Sequence, residues 1–140
     1  MLRFFIFDKN TVLNSKTTNG INVSAQPKYL GVQEEADSTL HVFTYRIQIE
    51  NNSPYKYRLI RRSWEIFDSL MPNQSVEGDG VIGKKPIILP GDSFSYESFC
   101  LIEGDYGFMQ GHYSMHNMDL NEVIKIYIPR FNLLSTSFLN

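Results

Sequence analysis

Hydrophobic side chains in this chain recur at every second position, and no stretch shows a sustained apolar stripe at the helical period of 3.6. Residues 43–50 read Phe-Thr-Tyr-Arg-Ile-Gln-Ile-Glu, so that each apolar residue is followed by a polar one. This alternation is typical of a β-strand with one buried face. Comparable runs occupy residues 21–29, 59–67, 94–100, 109–115 and 123–128. The chain is therefore expected to fold as an all-β protein.

Turn-forming residues separate these runs, at positions 51–54, 68–73, 90–92, 103–105 and 117–121. About seven short strands, with a turn every ten residues or so, predict an immunoglobulin-like antiparallel β-sandwich, with a barrel as the alternative. Within residues 59–67 the alternation is interrupted at Arg61-Arg62-Ser63. Such an interruption predicts a β-bulge that re-aims the face of the strand.

The length of 140 residues suits one domain with a sizeable core, and no linker or internal repeat divides it. Residues 1–18 fit the strand pattern least, so we predict a leader there, flexible or simply outside the core, and a domain over residues 19–140. The apolar run at residues 1–7 is too short to span a bilayer. We therefore expect no membrane insertion.

Charge and cysteine content narrow the partners and the compartment. The formal net charge of −2 provides no overall attraction to nucleic acid, so no nucleic-acid partner is expected. The single cysteine, Cys100, cannot form an intrachain disulfide, and nothing requires an oxidising compartment. A cytoplasmic location is therefore expected.

Residues 78–83 read Gly-Asp-Gly-Val-Ile-Gly, the glycine string of dinucleotide-binding turns. Such a turn needs a helix that begins directly after the glycines, because the pyrophosphate sits on the helix N-terminus. Here Pro86 and Pro90 follow, together with two β-branched isoleucines, and this span is incompatible with a helix. The string is therefore not a Rossmann turn.

The same loop has two other interpretations. Successive N–H groups of a glycine-rich turn can form an anion-binding nest, and arginine and lysine side chains suit phosphate oxygens. Under this hypothesis the loop binds pyrophosphate or a nucleotide tail weakly. The candidate phosphate-binding residues are Gly78, Gly80, Gly83, Lys84, Lys85, Arg61 and Arg62. Under the structural alternative, the glycines only supply positive φ angles as the loop crosses the sandwich.

Candidates for metal binding and catalysis are few. On a strand, His112 and His116 would share a face but lie roughly 13 Å apart, too far to share an ion. Cys100 continues the apolar parity of its run, which favours a core side chain over a nucleophile. We therefore expect no metal site, no cofactor and no enzymatic activity.

A basic and aromatic surface is the remaining feature. Five basic residues lie on two adjacent predicted strands with Tyr55 and Tyr57 among them, namely Arg46, Lys56, Arg58, Arg61 and Arg62. Arginine and aromatic side chains can anchor a protein partner, and the alternative is an ordinary solvated sheet face. Trp64 is expected in the core, and Phe67, on the opposite parity, is the better candidate for an exposed contact.

Ordered motifs across residues 19–140 resemble the ApaG domain family, also called CorD, and most closely the form found in Bacteroidetes-type bacteria. The motifs are Phe-Thr-Tyr-Arg-Ile at 43–47, Arg-Arg-Ser-Trp-Glu-Ile at 61–66, Val-Glu-Gly-Asp-Gly-Val-Ile-Gly-Lys-Lys-Pro at 76–86, Leu-Pro-Gly-Asp-Ser-Phe at 89–94, Gly-Phe-Met-Gln-Gly-His-Tyr at 107–113 and Ile-Pro-Arg-Phe at 128–131.

The resemblance implies a fibronectin type III-like sandwich of seven strands, and a non-catalytic interaction module associated with cobalt resistance and magnesium efflux. Our first hypothesis is that such a module binds a protein partner through the sandwich surface and the loop at residues 78–90. Family members often carry histidine where this chain has Ser63. A role built on that histidine therefore does not carry over to this chain.

Overall fold

The structure is a computed structural model that describes residues 14–136. It contains nine β-strands: β1 (Asn14–Thr18), β2 (Ile21–Glu35), β3 (Ser38–Asn51), β4 (Tyr57–Asp68), β5 (Gln74–Asp79), β6 (Ile87–Ile88), β7 (Ser93–Ile102), β8 (Tyr106–Asn117) and β9 (Glu122–Leu134). No helix in this part of the chain is long and apolar enough to cross a bilayer.

The strands form two antiparallel sheets packed face to face. One sheet has the order β1-β2-β3-β7, and the other has the order β5-β4-β8-β9, with β6 paired to β4. The predicted all-β sandwich is therefore confirmed. The six alternating runs of the sequence correspond to the six longest strands, whereas β1, β5 and β6 are short and lie outside those runs.

The core lies between the sheets and is rich in aromatic rings. Trp64 is 3% exposed and packs edge-on against Tyr45 and Phe131, with ring centroids 5.4 and 5.9 Å away. Cys100 is also buried among these side chains. The core positions predicted for Trp64 and Cys100 are confirmed, because the period-2 alternation directs both side chains to the inner face.

The domain begins earlier than the predicted boundary at residue 19. Residues 14–18 form β1, which pairs with β2 through a two-residue turn at Asn19 and Gly20. Both turn residues have positive φ angles, 49° and 81°, as a tight hairpin with right-handed strand twist requires. The last five residues of the predicted leader therefore belong to the sheet, and residues 1–13 lie outside the described part of the chain.

The chain crosses from one sheet to the other between β3 and β4. The side chain of Asn51 holds this crossing, since its Nδ2 donates to the carbonyl oxygens of Tyr55 and Ile88 at 2.7 and 2.9 Å. The prediction that Arg46 and Arg58 share one basic face on adjacent strands is therefore wrong. Arg46 belongs to the β3 sheet and Arg58 to the β4 sheet, because the connection is a crossover rather than a hairpin.

The predicted bulge is present in β4, at Ile60, one residue before the interruption seen at Arg61-Arg62-Ser63. The register between β4 and β8 shifts between Leu59 and Arg61. Beyond the shift, alternation from the buried Trp64 places Arg62 on the inner side of the sheet and leaves Arg61 on the outer side. The two adjacent arginines therefore point in opposite directions, and this difference determines what each one contacts.

Candidate functional site

The glycine loop connects the edge strand β5 to the short strand β6. Gly78 and Asp79 still pair with β4, opposite Arg62 and Arg61. The chain then turns at Val81–Lys84, where the two end residues exchange N–H···O bonds of 2.8 and 2.9 Å. The glycine string thus ends in a tight turn that returns to a strand, as the exclusion of a Rossmann turn predicted.

Glycine is required in this loop for steric reasons, and these differ from one position to the next. Gly80 and Gly83 have φ angles of 60° and 75°, the left-handed region that glycine adopts without cost. A Cβ at Gly80 would also lie 2.2 Å from the carbonyl oxygen of Lys84. A Cβ at Gly78 would lie 2.7 Å from Nη2 of Arg62. The loop therefore requires glycine for its own packing.

The structure brings all seven predicted phosphate-binding residues to this loop, and several of their donors bind the loop itself. Nη1 of Arg62 donates to the carbonyl oxygens of Asp79 and Gly80, both at 2.9 Å. Nη1 of Arg61 donates to Oδ1 of Asp79 at 2.6 Å. The N–H of Gly80 donates to the carbonyl oxygen of Ile60 at 2.7 Å. Lys84 and Lys85 are exposed at the surface.

Two buried tyrosines lie within range of the Arg62 charge. Val81 is fully buried, and the hydroxyl groups of Tyr96 and Tyr113 hydrogen-bond to each other within the core. Burial raises the pKa of both phenols above the ordinary 10.0, and the guanidinium of Arg62 acts in the opposite direction on each. The phenols are therefore neutral at physiological pH, and Val81 belongs to the same hydrophobic core as the two tyrosines.

The outer side of the loop is apolar and basic. Ile82 is 53% exposed, and Ile87 and Leu89 are each 48% exposed. Ile82 stands at the tip of the turn with a φ of 42°, a conformation that is costly for a β-branched residue. We call the exposed side chains of Ile82, Lys84, Lys85, Ile87 and Leu89 the loop surface. In the sequence, the feature that could have revealed this surface is Ile82, an isoleucine at a turn position where asparagine or glycine is usual.

The remaining candidates lie away from this loop. His112 and His116 both belong to β8; burial, and then the ammonium of Lys125, lowers the pKa of His112. His116 Nε2 is 2.8 Å from Oδ1 of Asn121. Within residues 14–136 no group of three or more His, Cys, Asp or Glu side chains could hold a metal ion.

Cys100 and Phe67 are packed side chains in the structure. Burial raises the pKa of the Cys100 thiol to about 11, so the thiol keeps its proton at neutral pH. Phe67 lies on the outer face, as its parity predicted, but it is half-buried against Phe108 at a centroid distance of 5.0 Å. Arg130 covers the Phe108 ring at 3.9 Å, so this aromatic pair is packed rather than freely exposed.

Comparisons with known proteins agree with this architecture. The sequence model of the ApaG domain matches residues 31–117. The protein ApaG of Brucella abortus (strain S19) is 41% identical over 119 residues, which is 85% of this chain and 91% of that protein.

Two solved structures share the fold along most of their length. An X-ray structure from the Northeast Structural Genomics Consortium has a TM-score of 0.82 at 29% identity, covering 87% of this chain and 92% of that one. A crystal structure from Bordetella pertussis, described as ApaA, has a TM-score of 0.76 at 30% identity, covering 83% and 94%. The chain therefore belongs to the ApaG domain family.

Proposed function

We propose that this ApaG domain is a non-catalytic module that binds a protein partner through the loop surface. The observation that carries the proposal is Ile82, a β-branched side chain that is held in the left-handed region and is 53% exposed. Backbone strain of this kind costs about 1–2 kcal/mol and persists where the surroundings over-determine it, often at binding sites. Because the Ile82 side chain is half exposed and its backbone is strained, folding alone gives little reason for an isoleucine there, and we infer a contact for it.

Rigidity is the second support. Arg62 fixes the loop by two hydrogen bonds to its carbonyl groups, and the Gly80 N–H adds a hydrogen bond to Ile60. The buried side chain of Val81 anchors the loop in the core. A surface that is already ordered loses little conformational entropy on association. Apolar anchors next to cationic side chains are an arrangement that binds well, and here Lys84 and Lys85 flank the apolar residues. The expected partner therefore presents an apolar patch with acidic residues beside it.

The experiment is affinity capture from the native cell, followed by a direct binding assay with the recovered protein. Ile82→Gly removes the anchor while relieving the backbone strain, so the variant folds at least as well and still loses binding, by about tenfold or more. Lys84→Glu with Lys85→Glu tests the charge. Val123→Ala, which trims another exposed apolar side chain far along the sequence, is the control. Equal binding by the Ile82→Gly variant would contradict the proposal.

We further propose that this interaction takes place in the cytoplasm and serves divalent cation homeostasis, the role that the family resemblance implies. A strain that lacks the protein should become more sensitive to Co²⁺. The wild-type chain should restore growth, and the Ile82→Gly chain should not. A deletion strain with unchanged Co²⁺ and Mg²⁺ tolerance would contradict this role and leave the binding proposal to its own test.

The second candidate function is weak binding of pyrophosphate or nucleotide phosphate. The observation that favours it is the exposure of Lys84 and Lys85, neither of which forms an ion pair within residues 14–136. NMR titration with ATP, diadenosine tetraphosphate and pyrophosphate should shift the Gly83 and Lys84 amides. The absence of shifts at millimolar ligand would remove this candidate.

A further inference from the structure

Strand β7 has an open edge. It is the last strand of its sheet and pairs with β3 without any register shift from Ser93 to Ile102. Its other edge has no strand partner anywhere in residues 14–136. Asn51 exchanges backbone bonds with the chain entering β7, donating to Asp92 and accepting from Gly91. By antiparallel alternation, the outward N–H and C=O groups are those of Ser93, Ser95, Glu97, Phe99 and Leu101.

The other edges of the sandwich are covered or guarded. Strands β1 and β9 approach each other, with Asn14 Nδ2 donating to the carbonyl oxygen of Arg130 at 2.9 Å. Strand β5 is six residues long and carries exposed Glu77 and Asp79 at its end. Strand β7 has ten residues, with no lysine, no proline and a single charge at Glu97. It lacks the features that keep exposed edges from pairing.

An exposed aromatic ring lies beside this open backbone. Phe99 is 65% exposed on the outer face of the sheet, across from Thr44 of β3. Its neighbours on the same face and strand are Glu97 and Leu101. A strand added to the edge would cover both the unpaired backbone groups and one side of the Phe99 ring. The added strand would form main-chain hydrogen bonds and bury apolar surface at the same time, as in β-strand augmentation.

We propose that β7 pairs antiparallel with β7 of a second copy of this chain, around a two-fold axis at Phe99. In this register the two Phe99 rings are cross-strand neighbours, and Glu97 lies opposite Leu101 of the other copy. A register centred on Glu97 would oppose two carboxylates, so charge disfavours it. The result is one continuous sheet across two molecules, with a self-complementary interface.

A second copy fits this edge better than a foreign peptide. A foreign peptide would have to be selected by charge, and β7 carries one charged residue, Glu97, and no cation. A second copy of β7, in contrast, matches the edge in its hydrogen-bonding groups and places one Phe99 ring against another. Because each copy contributes one strand edge, the surface area buried per partner should be smaller than the roughly 800 Å² of stable complexes. We therefore expect a reversible dimer with a dissociation constant on the order of 10–100 µM. This interface does not involve the loop surface.

Sedimentation velocity from about 1 to about 300 µM tests the proposal. The wild-type chain should form a dimer with rising concentration, and Phe99→Lys should weaken it at least tenfold. Val123→Lys is the matched control, because Val123 is 62% exposed on another strand, and it should leave the dimer unchanged. A chain that stays monomeric throughout, or a dimer equally strong in Phe99→Lys, would overturn the proposal.

Amide hydrogen exchange of the wild-type chain is an independent measurement that needs no variant. The amides of Glu97, Phe99 and Leu101 should exchange several-fold more slowly at high protein concentration than at low concentration. The amides of β5, at the edge of the other sheet, should not change. Concentration-independent exchange at β7 would count against the interface even if a dimer were detected.

Discussion

The guanidinium of Arg62 lies against the backbone of Gly78, its cross-strand partner in the β4–β5 pair. A Cβ on Gly78 would fall 2.7 Å from Nη2 and 2.9 Å from Cζ of Arg62. The same guanidinium binds the carbonyl oxygens of Asp79 and Gly80. The glycine therefore makes room for the arginine that holds the loop in place.

Alanine at the first two glycines of the loop should lower stability by different amounts. In Gly78→Ala the Arg62 side chain can swing aside, and the lost bonds should cost about 1–2 kcal/mol. In Gly80→Ala the new Cβ meets the carbonyl oxygen of Lys84 at a φ of 60°, so the backbone itself must move. We expect a loss of more than about 3 kcal/mol there. Urea denaturation measures both, and equal losses would refute the steric explanation.

Replacing the strained isoleucine at the tip should stabilise the protein. Ile82→Asn places an asparagine before Gly83, the preferred pair for a two-residue turn with positive φ angles. The free energy of unfolding should rise by about 1 kcal/mol, and the melting temperature by about 3 °C. Ile87→Asn, at a similarly exposed position in β6, is the control and should give no gain. An unchanged or lower melting temperature for Ile82→Asn would show that the turn is not strained.

Removing the inner arginine should loosen the loop, and removing the outer one should not. Arg62→Met eliminates the bonds to Asp79 and Gly80, so the Gly80 amide, bonded to Ile60, should exchange about tenfold faster. Arg61→Met removes an exposed ion pair with Asp79, which contributes little. Hydrogen exchange followed by NMR provides the comparison. The same acceleration in both variants would mean that Arg62 has no special structural role.

Alkaline pH should destabilise the fold through buried acids. Burial raises the pKa of the Cys100 thiol to about 11, above its ordinary value of 9.0. Because the unfolded thiol ionises first, this contribution to stability is complete below pH 9.0 and is lost as the pH rises towards about 11. The loss amounts to about 2–3 kcal/mol. Urea midpoints between pH 7.5 and about 10.5 should fall less steeply in Cys100→Ala than in wild type.

A parallel slope in the two proteins would contradict the assignment to Cys100. The tyrosines Tyr45, Tyr96 and Tyr113 also have pKa values raised by burial, and they should continue to destabilise the variant as the pH rises above 10.0. The residual slope of Cys100→Ala therefore reports these tyrosines, and the difference between the two slopes reports the thiol.

Local patterns predicted what depends on neighbours in the chain. Alternating side chains identified the six long strands and the core position of Trp64, because a strand buries every second residue regardless of its partners. The interruption at Arg61-Arg62-Ser63 likewise predicted the bulge. The hairpin of β1 and β2 could have been found as well, since Asn19-Gly20 is the strongest short-range signal for a two-residue turn.

Contacts between distant segments were decided by the tertiary structure alone. Alternation cannot say which sheet a strand joins, so the separation of Arg46 from Arg58 followed only from the crossover at Asn51. It also cannot show that Arg62 binds the carbonyl groups of the glycine loop, or that β7 pairs with a strand of residues 14–136 along one edge alone. The six long strands, their buried faces and the turns between them could be predicted, because these features are set by residues close together in the chain. Which strands pair, and therefore which residues surround the glycine loop, depends on packing between distant segments that no local pattern encodes.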